Sequence, residues 1–132
     1  MPLDAPVREI LEDTNFAYVA TIRKDGTPHV VPVWVHTDGE NVLLNSSEGR
    51  VWPANLERDP RITITVANKE NPYEYVEVRG RVAEKTHEGA KEHIDELAKK
   101  YLGADEYPYL QPGEQRIKYV IAPEKVKLYG RG

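Results

Sequence analysis

The clearest chemical signal in the chain is a run of small polar residues that ends in an arginine. Ser46-Ser47-Glu48-Gly49 follows an apolar stretch and leads into a short predicted helix that carries Arg50. Backbone N–H groups at a helix start, serine hydroxyls and a guanidinium all favour an anion such as phosphate. Serine also caps many helices without any ligand, so the pattern leaves both capping and anion binding open.

The histidines give weaker signals. His29, His36, His87 and His93 show no metal-binding spacing, and the chain contains no P-loop or nucleophile-elbow motif. His29 could face a ligand from the end of a strand, whereas His87 and His93 are predicted to be solvated on a helix with acidic neighbours. If the protein is an enzyme, a bound cofactor is therefore expected to carry the reaction.

Four aromatic residues accompany the predicted anion site. Trp34, Trp52, Tyr73 and Tyr75 lie on or beside strands that flank it. They favour a ligand cleft over a nucleic-acid platform, although each such residue is more often part of a core or a dimer interface than a ligand contact. A net charge of -4 with scattered basic residues argues against a general nucleic-acid binder.

Length and composition limit the class of protein. We expect residues 1–132 to form a single domain with one core. No stretch approaches the roughly 18 apolar residues needed to span a bilayer, and the first residues lack the apolar region of a signal peptide. Cysteine is absent. These observations lead us to expect a cytoplasmic protein with no membrane or disulfide role.

The apolar periodicity predicts a mainly β structure, a small antiparallel barrel with flanking helices. The predicted strands span residues 15–23, 30–36, 42–45, 61–67, 73–84 with a bulge at Gly80, and 115–129 with a break at Pro123. The predicted helices span residues 5–13, 49–56 with a break near Pro53, and 86–102 with Thr86 as cap. Ala90, Ile94, Leu97, Ala98 and Tyr101 would form the buried stripe of the last helix.

Several short motifs follow one another in residues 16–66, FAYVATIRKDGTPHVVPVWVHTDGENVLLNSSEGRVWPANLERDPRITITV. In this order they resemble the flavin- and deazaflavin-binding split β-barrels of the pyridoxamine-phosphate-oxidase-like superfamily. The later segments RGRVAE, EGAKEHIDELAKKYLG and YPYLQPGEQR look most like the branch that uses the deazaflavin coenzyme F(420). The resemblance covers nearly the whole chain, from about Phe16 to Tyr129.

The resemblance implies an FMN-binding-like split β-barrel that forms a homodimer, with a cofactor in a groove at each subunit interface. Arg50 matches the arginine that typically contacts the cofactor phosphate. Trp52 stands where family members commonly have lysine, so phosphate could bind more weakly, or the indole could stack on a ring or close the pocket. The other implied cofactor-binding residues are His29, Val31, Pro32 and Val33 along the ring, Asn45, Ser46 and Ser47 beside Arg50, and Tyr73 and Tyr75 where the other subunit approaches.

The function implied by the resemblance is hydride transfer between coenzyme F(420) and a small unsaturated organic acceptor. No side chain of the protein needs to act as acid or base in such a reaction. Two alternatives stay open at this point, namely an FMN-dependent oxidoreductase of the same fold and a non-catalytic carrier of a flavin or of a tetrapyrrole such as biliverdin.

Overall fold

A computed structural model describes residues 2–130, and a curled sheet of seven antiparallel strands forms the centre of the protein. The strands are β1 Ala17–Ile22, β2 Pro28–Val33, β3 His36–Thr37, β4 Val42–Ser47, β5 Arg61–Asn68, β6 Asn71–Thr86 and β7 Arg116–Tyr129. The helices are α1 Ala5–Glu12, α2 Val51–Arg58 and α3 Ala90–Leu102. The strand order β2-β1-β5-β6-β7-β4-β3 confirms the predicted mainly β architecture with flanking helices.

The concave face of the sheet holds the hydrophobic core. Alternate residues of each strand point inward, as Val19 of β1 and Ile64 of β5 show, and both are completely buried. Helix α1 closes this core with Val7, Ile10 and Leu11, which lie on one face as predicted. The opposite, convex face is therefore the one on which a ligand site can be built.

The chain passes from one edge of the sheet to the other through only two residues. Strands β2 and β3 are the two edges, and Trp34 and Val35 join them, so the single strand predicted for residues 30–36 is wrong. The Val35 N–H donates to the Tyr101 hydroxyl (3.1 Å), and its carbonyl accepts from Lys100 Nζ (2.6 Å). Burial lowers the pKa of Lys100 to about 8. Helix α3 thus supplies the hydrogen bonds that Val35 cannot find in a strand.

Two prolines interrupt less than predicted. Helix α2 continues through Pro53, because this residue lies in the first turn, where backbone N–H groups have no partner within the helix. Strand β7 continues through Pro123, opposite the register shift at Arg79 and Gly80. The bulge predicted at Gly80 is confirmed, and a Cβ there would lie 2.4 Å from the carbonyl oxygen of Ala122.

Helix α3 packs on the convex face of β4 and β7. It begins at Ala90, because Thr86 still belongs to β6 and Gly89, with a φ of 76°, is the N-cap; the predicted Thr86 cap is wrong. The prediction that His93 is solvated is also wrong, because it shares the buried face of the helix and is only 3% exposed. His87 is exposed and lies 2.7 Å from a Glu48 carboxylate oxygen. Within residues 2–130 none of the helices is long and apolar enough to cross a membrane.

Candidate functional site

An open cleft of about 460 Å³ lies beside α3, bordered by the ends of β1 and β2 and the start of α2. Aromatic and apolar side chains dominate its walls, and only a few polar groups enter it, which is the usual character of a small-molecule site. The apolar lining is Phe16, Tyr18, Pro32, Val33, Trp34, Trp52, Ile94, Leu97, Tyr107 and Tyr109. The polar lining is Asn45, Arg50 and Arg116.

A stack of aromatic rings forms one side of the cleft. The Tyr101 ring lies between Phe16 (centroids 5.7 Å apart, planes 16° apart) and Trp34 (5.3 Å, 6°). The Tyr101 hydroxyl donates to the Asn15 carbonyl (2.5 Å), so the central ring is fixed from behind. The edge of Tyr107 meets Trp34 at 6.0 Å and 89°. These contacts hold flat apolar surfaces in place without requiring a ligand to order them.

Tyr107 and Tyr109 belong to the connection between α3 and β7, residues 103–115. The Tyr107 N–H donates to Asp95 Oδ1 (2.8 Å), and this bond ties the connection to α3. The guanidinium of Arg116 lies 5.0 Å from the centre of the Tyr107 ring, a cation–π distance. Tyr109 packs its ring against Tyr107 at 5.7 Å but is 60% exposed. Tyr107 is therefore held by three kinds of contact, whereas Tyr109 has one ring contact and is mostly exposed to solvent.

Arg116 is the most constrained polar group of the cleft. It is 6% exposed, and its Nε and Nη2 donate to Asn45 Oδ1 at 2.9 and 2.7 Å. Asn45 is placed on the convex face by the alternation of β4, and its Nδ2 donates to the Ala90 carbonyl (3.0 Å). Strand β4, strand β7 and helix α3 thus meet at one amide group. Burial lowers the pKa of Arg116, although guanidinium remains charged.

His93 completes this network behind the cleft. Its Nδ1 lies 3.0 Å from Asn45 Nδ2, and because Arg116 fixes the amide orientation, Nδ2 donates and Nδ1 accepts. The imidazole proton therefore lies on Nε2, which is buried and has no hydrogen-bond partner. Burial, together with the positive charges of Lys118, His36 and Arg116, lowers the pKa of His93 to about 4. His93 is neutral at physiological pH.

Arg50 is much more exposed and much less constrained than Arg116. It is the N-cap residue of α2, its side chain is 51% exposed, and its nearest acidic partner is Glu114, with Nη2 4.0 Å from Oε1. The serines that precede it are placed differently from the prediction. Ser46 and Ser47 extend β4 and are buried, and no side chain caps α2, so neither a serine cap nor a serine loop is present.

The structure brings some of the predicted site residues together and separates others. Pro32, Val33, Asn45, Arg50 and Trp52 line the cleft. His29 and Val31 point to the concave face of β2, opposite Thr21 and Val19, and Ser46 is fully buried. Tyr73 is 84% exposed, and Tyr75 stacks on Tyr129 (4.6 Å). In a single chain, six predicted site residues therefore do not line the cleft: His29, Val31, Ser46, Ser47, Tyr73 and Tyr75.

The interior position of Trp52 bears on its two predicted roles. It is 3% exposed and packs on the Tyr119 ring at 5.3 Å, so only a small part of its indole reaches the cleft. A side chain held in this way closes the floor of the cleft.

Sequence reasoning did not identify Arg116, Tyr107, Tyr109, Phe16 and Tyr18 as site residues. The segment RIKYVIA contained a usable signal, because alternation separates Arg116 and Lys118 from the buried Ile117 and Tyr119. A basic pair on a face that an amphipathic helix must cover requires a polar partner. That partner, Asn45, lies 71 positions earlier in the chain, and no local pattern connects the two residues.

Comparisons with known proteins agree with this architecture. Residues 3–130 match the pyridoxamine 5'-phosphate oxidase family. An F(420) reductase of known structure is 27% identical, with a TM-score of 0.82 over 95% of this chain and 98% of that one. A conserved hypothetical protein from Mycobacterium tuberculosis (19% identity, TM-score 0.74, 98% and 85% covered) and HupZ of Group A Streptococcus (18%, 0.71, 98% and 99%) share the fold. No curated protein matches the chain.

Proposed function

Because the chain belongs to the pyridoxamine 5'-phosphate oxidase family, we propose that it is an oxidoreductase that uses coenzyme F(420) to reduce a small unsaturated organic acceptor. The observation that carries this proposal is an arginine, Arg50, at the mouth of a cleft lined by flat aromatic rings. The similarity to an F(420) reductase at 27% identity supports the deazaflavin as cofactor. The family binds flavins such as FMN, which is therefore the second candidate.

The residues of the cleft fit a ring-bearing anion. A volume of about 460 Å³ is in the range of cofactor and ligand pockets, and Arg116 Nη1 is buried there without a hydrogen bond. Coenzyme F(420) supplies hydride-transfer chemistry when it is bound. Arg50 would hold its phosphate through the planar fork of its guanidinium. The rings of Phe16, Trp34 and Tyr107 would orient the ring system and exclude water.

We also propose that the protein acts as a homodimer. Phe16, Tyr18 and Val30 lie on or beside the convex face of β1 and β2, next to the cleft, and are 52, 48 and 60% exposed. Exposed apolar side chains that cluster in this way are typical of an interface. Tyr73 and Tyr75 of a second subunit would then approach the Arg50 end of the cleft, which would explain why they are remote from it in one chain.

Ligand binding tests the cofactor proposal directly. Purified protein is titrated with coenzyme F(420) and with FMN, and binding is followed by the fluorescence of each ligand. Binding of the deazaflavin at micromolar concentrations is expected, and no binding at those concentrations would overturn the proposal. A yellow protein that retains FMN through purification would favour the second candidate. Binding without reduction of any unsaturated acceptor would indicate a carrier instead of an enzyme.

The dimer is tested by sedimentation velocity at micromolar concentrations. We expect wild-type protein to sediment at twice the chain mass and Val30→Glu, which places a charge in the apolar patch, to shift toward the monomer. Glu84→Gln, on an exposed position of β6, is the matched control and should leave the mass unchanged. A wild-type monomer would remove the second subunit from the site.

A further inference from the structure

We infer that Arg50 and Arg116 together form one anion-binding position in the cleft, and that Glu114 competes for it with a phosphate or carboxylate of the ligand. The inference rests on the proposed function for the ring-bearing ligand, whereas the anion position follows from the side chains themselves. It adds Arg116 to the binding residues and gives Glu114, in the connection between α3 and β7, a defined role.

Glu114 lies between the two arginines and contacts both of them loosely. Its Oε1 is 4.0 Å from Arg50 Nη2, and its Oε2 is 3.5 Å from Arg116 Nη1. The glutamate side chain is only 13% exposed. Both Oε2 of Glu114 and Nη1 of Arg116 are buried without a hydrogen bond. The pair therefore gains charge attraction but lacks the short, aligned contacts that normally offset the desolvation of such groups.

Arg116 cannot turn to improve this contact. Its Nε and Nη2 both donate to Asn45 Oδ1, so Nη1 is the nitrogen that faces the Glu114 carboxylate. Asn45 is itself fixed to the Ala90 carbonyl. The position of Nη1 is therefore set by three secondary-structure elements, and an oxyanion that enters the cleft meets a preorganised donor.

Two guanidinium groups face one carboxylate, so a positive charge is left without compensation at this end of the cleft. A phosphate or carboxylate at normal charge-assisted distances of about 2.7–2.9 Å would contact Arg50 and Arg116 more favourably than Glu114 does. Glu114 belongs to a connection without regular structure, where its N–H donates to the Gln111 carbonyl (3.1 Å). Such a segment can withdraw its side chain at smaller cost than a strand can.

The competition predicts that removal of the Glu114 charge tightens the binding of anions and leaves neutral ligands unaffected. FMN and riboflavin share one ring system and differ by the phosphate, so they form a matched pair of probes. In Glu114→Gln we expect FMN to bind about 5- to 10-fold more tightly and riboflavin to bind as in wild type. Glu106→Gln removes the same charge from an exposed position of the same connection and should change neither affinity. Glu114→Asp keeps the charge and should not tighten FMN binding.

A second titration separates this inference from the proposed function. Trp34 and Trp52 are the two tryptophans of the chain and both line the cleft, so their emission reports its occupation by inorganic phosphate or acetate. Glu114→Gln should bind one of these ions more tightly than wild type and Glu106→Gln do, and the ion with the larger gain identifies the ligand group. If Glu114→Gln binds neither ion more tightly than wild type does, the inference is overturned, as it also is if FMN binds more weakly to Glu114→Gln. Failure of every flavin to bind, together with the gain for an ion, would refute only the proposed cofactor.

Discussion

The cleft has an inner wall, formed by Arg116 and Asn45 with His93 packed behind them, and a mouth, formed by Arg50 and Glu114. On the inner wall every residue is at least nine-tenths buried, and the hydrogen bonds of Asn45 measure 2.7–3.0 Å. At the mouth, Arg50 is half exposed and the closest approach of Glu114 to it is 4.0 Å. The guanidinium of Arg50 is therefore much freer to change its position than the guanidinium of Arg116.

The two arginines are therefore suited to different tasks: Arg116 keeps a fixed geometry, and Arg50 can adapt to a ligand. A buried arginine fixed by an amide keeps one geometry, and its removal or the removal of its partner affects folding. An exposed arginine contributes little to folding because solvent screens its charge, and it can adapt to a ligand. Substitutions on the inner wall should therefore change stability first, and substitutions at the mouth should change binding first.

The largest effect is expected for Asn45→Ala. This substitution removes the acceptor of two Arg116 hydrogen bonds and leaves the buried guanidinium with only the long Glu114 contact, which should reduce the free energy of unfolding by about 3–4 kcal/mol. Urea denaturation measures the change. Asn71→Ala serves as a control, because Asn71 is exposed and accepts one long bond from the Tyr73 N–H (3.3 Å). A loss below about 1 kcal/mol for Asn45→Ala, the size of one ordinary hydrogen bond, would show that other contacts hold Arg116.

The pH dependence of the inner wall comes next. The folded pKa of His93, about 4, lies below the ordinary value of 6.5, so the unfolded chain takes up the proton first as the pH falls. The stability contribution of neutral His93 is complete above pH 6.5 and is lost between pH 6.5 and 4, by about 3 kcal/mol in all. Urea denaturation of wild type and His93→Gln across this interval isolates the effect. Parallel curves for the two proteins would contradict it.

At the mouth, Arg50→Ala should weaken the binding of FMN or coenzyme F(420) by roughly 1.5–3 kcal/mol, the range for a hydrogen bond to a charged group. Its free energy of unfolding should stay within about 0.5 kcal/mol of wild type, because the side chain is largely solvated. Fluorescence titration measures the ligand affinity, and urea denaturation measures the free energy of unfolding. Arg23→Ala changes the net charge equally from an exposed position and controls for nonspecific attraction. Unchanged affinity in Arg50→Ala would exclude Arg50 from the site.

The smallest effect, about 1–2 kcal/mol of stability, is expected for Tyr101→Phe. The substitution keeps the ring stacked between Phe16 and Trp34 but removes the hydroxyl that bonds Asn15 and Val35. Tyr73→Phe deletes the same atom from an 84% exposed ring and should be neutral. A neutral Tyr101→Phe would mean that the Val35 N–H does not need the Tyr101 hydroxyl as its acceptor, because Lys100 bonds only the Val35 carbonyl.

Local patterns predicted the elements whose alternation or helical period is complete within one segment. Helix α1, strands β1 and β5 and the bulge at Gly80 are of this kind. Proline misled the prediction at Pro53 and Pro123, because its effect depends on whether the missing N–H had a partner in the fold. The type of each residue was visible, but its hydrogen-bonding context was not.

The candidate site was predictable only in part, for the same reason. Arg50 and Trp52 were identified by motif order, and both line the cleft. His93 was misassigned because its acidic sequence neighbours suggested solvent, whereas its partner Asn45 lies 48 positions away. The inner wall depends on β4, β7 and α3 coming together, and contacts at that separation are set by tertiary packing.

The two-residue link between β2 and β3 has a consequence for how the protein behaves at high concentration. An open sheet presents free amide and carbonyl groups at its margins, where identical strands from neighbouring molecules can add and propagate fibres. Here the margins meet at Val35, whose own groups are already bonded to Tyr101 and Lys100. Val35 therefore offers no free backbone group for strand pairing between molecules, and the side chains that occupy its groups are supplied by a helix about 65 residues later in the chain.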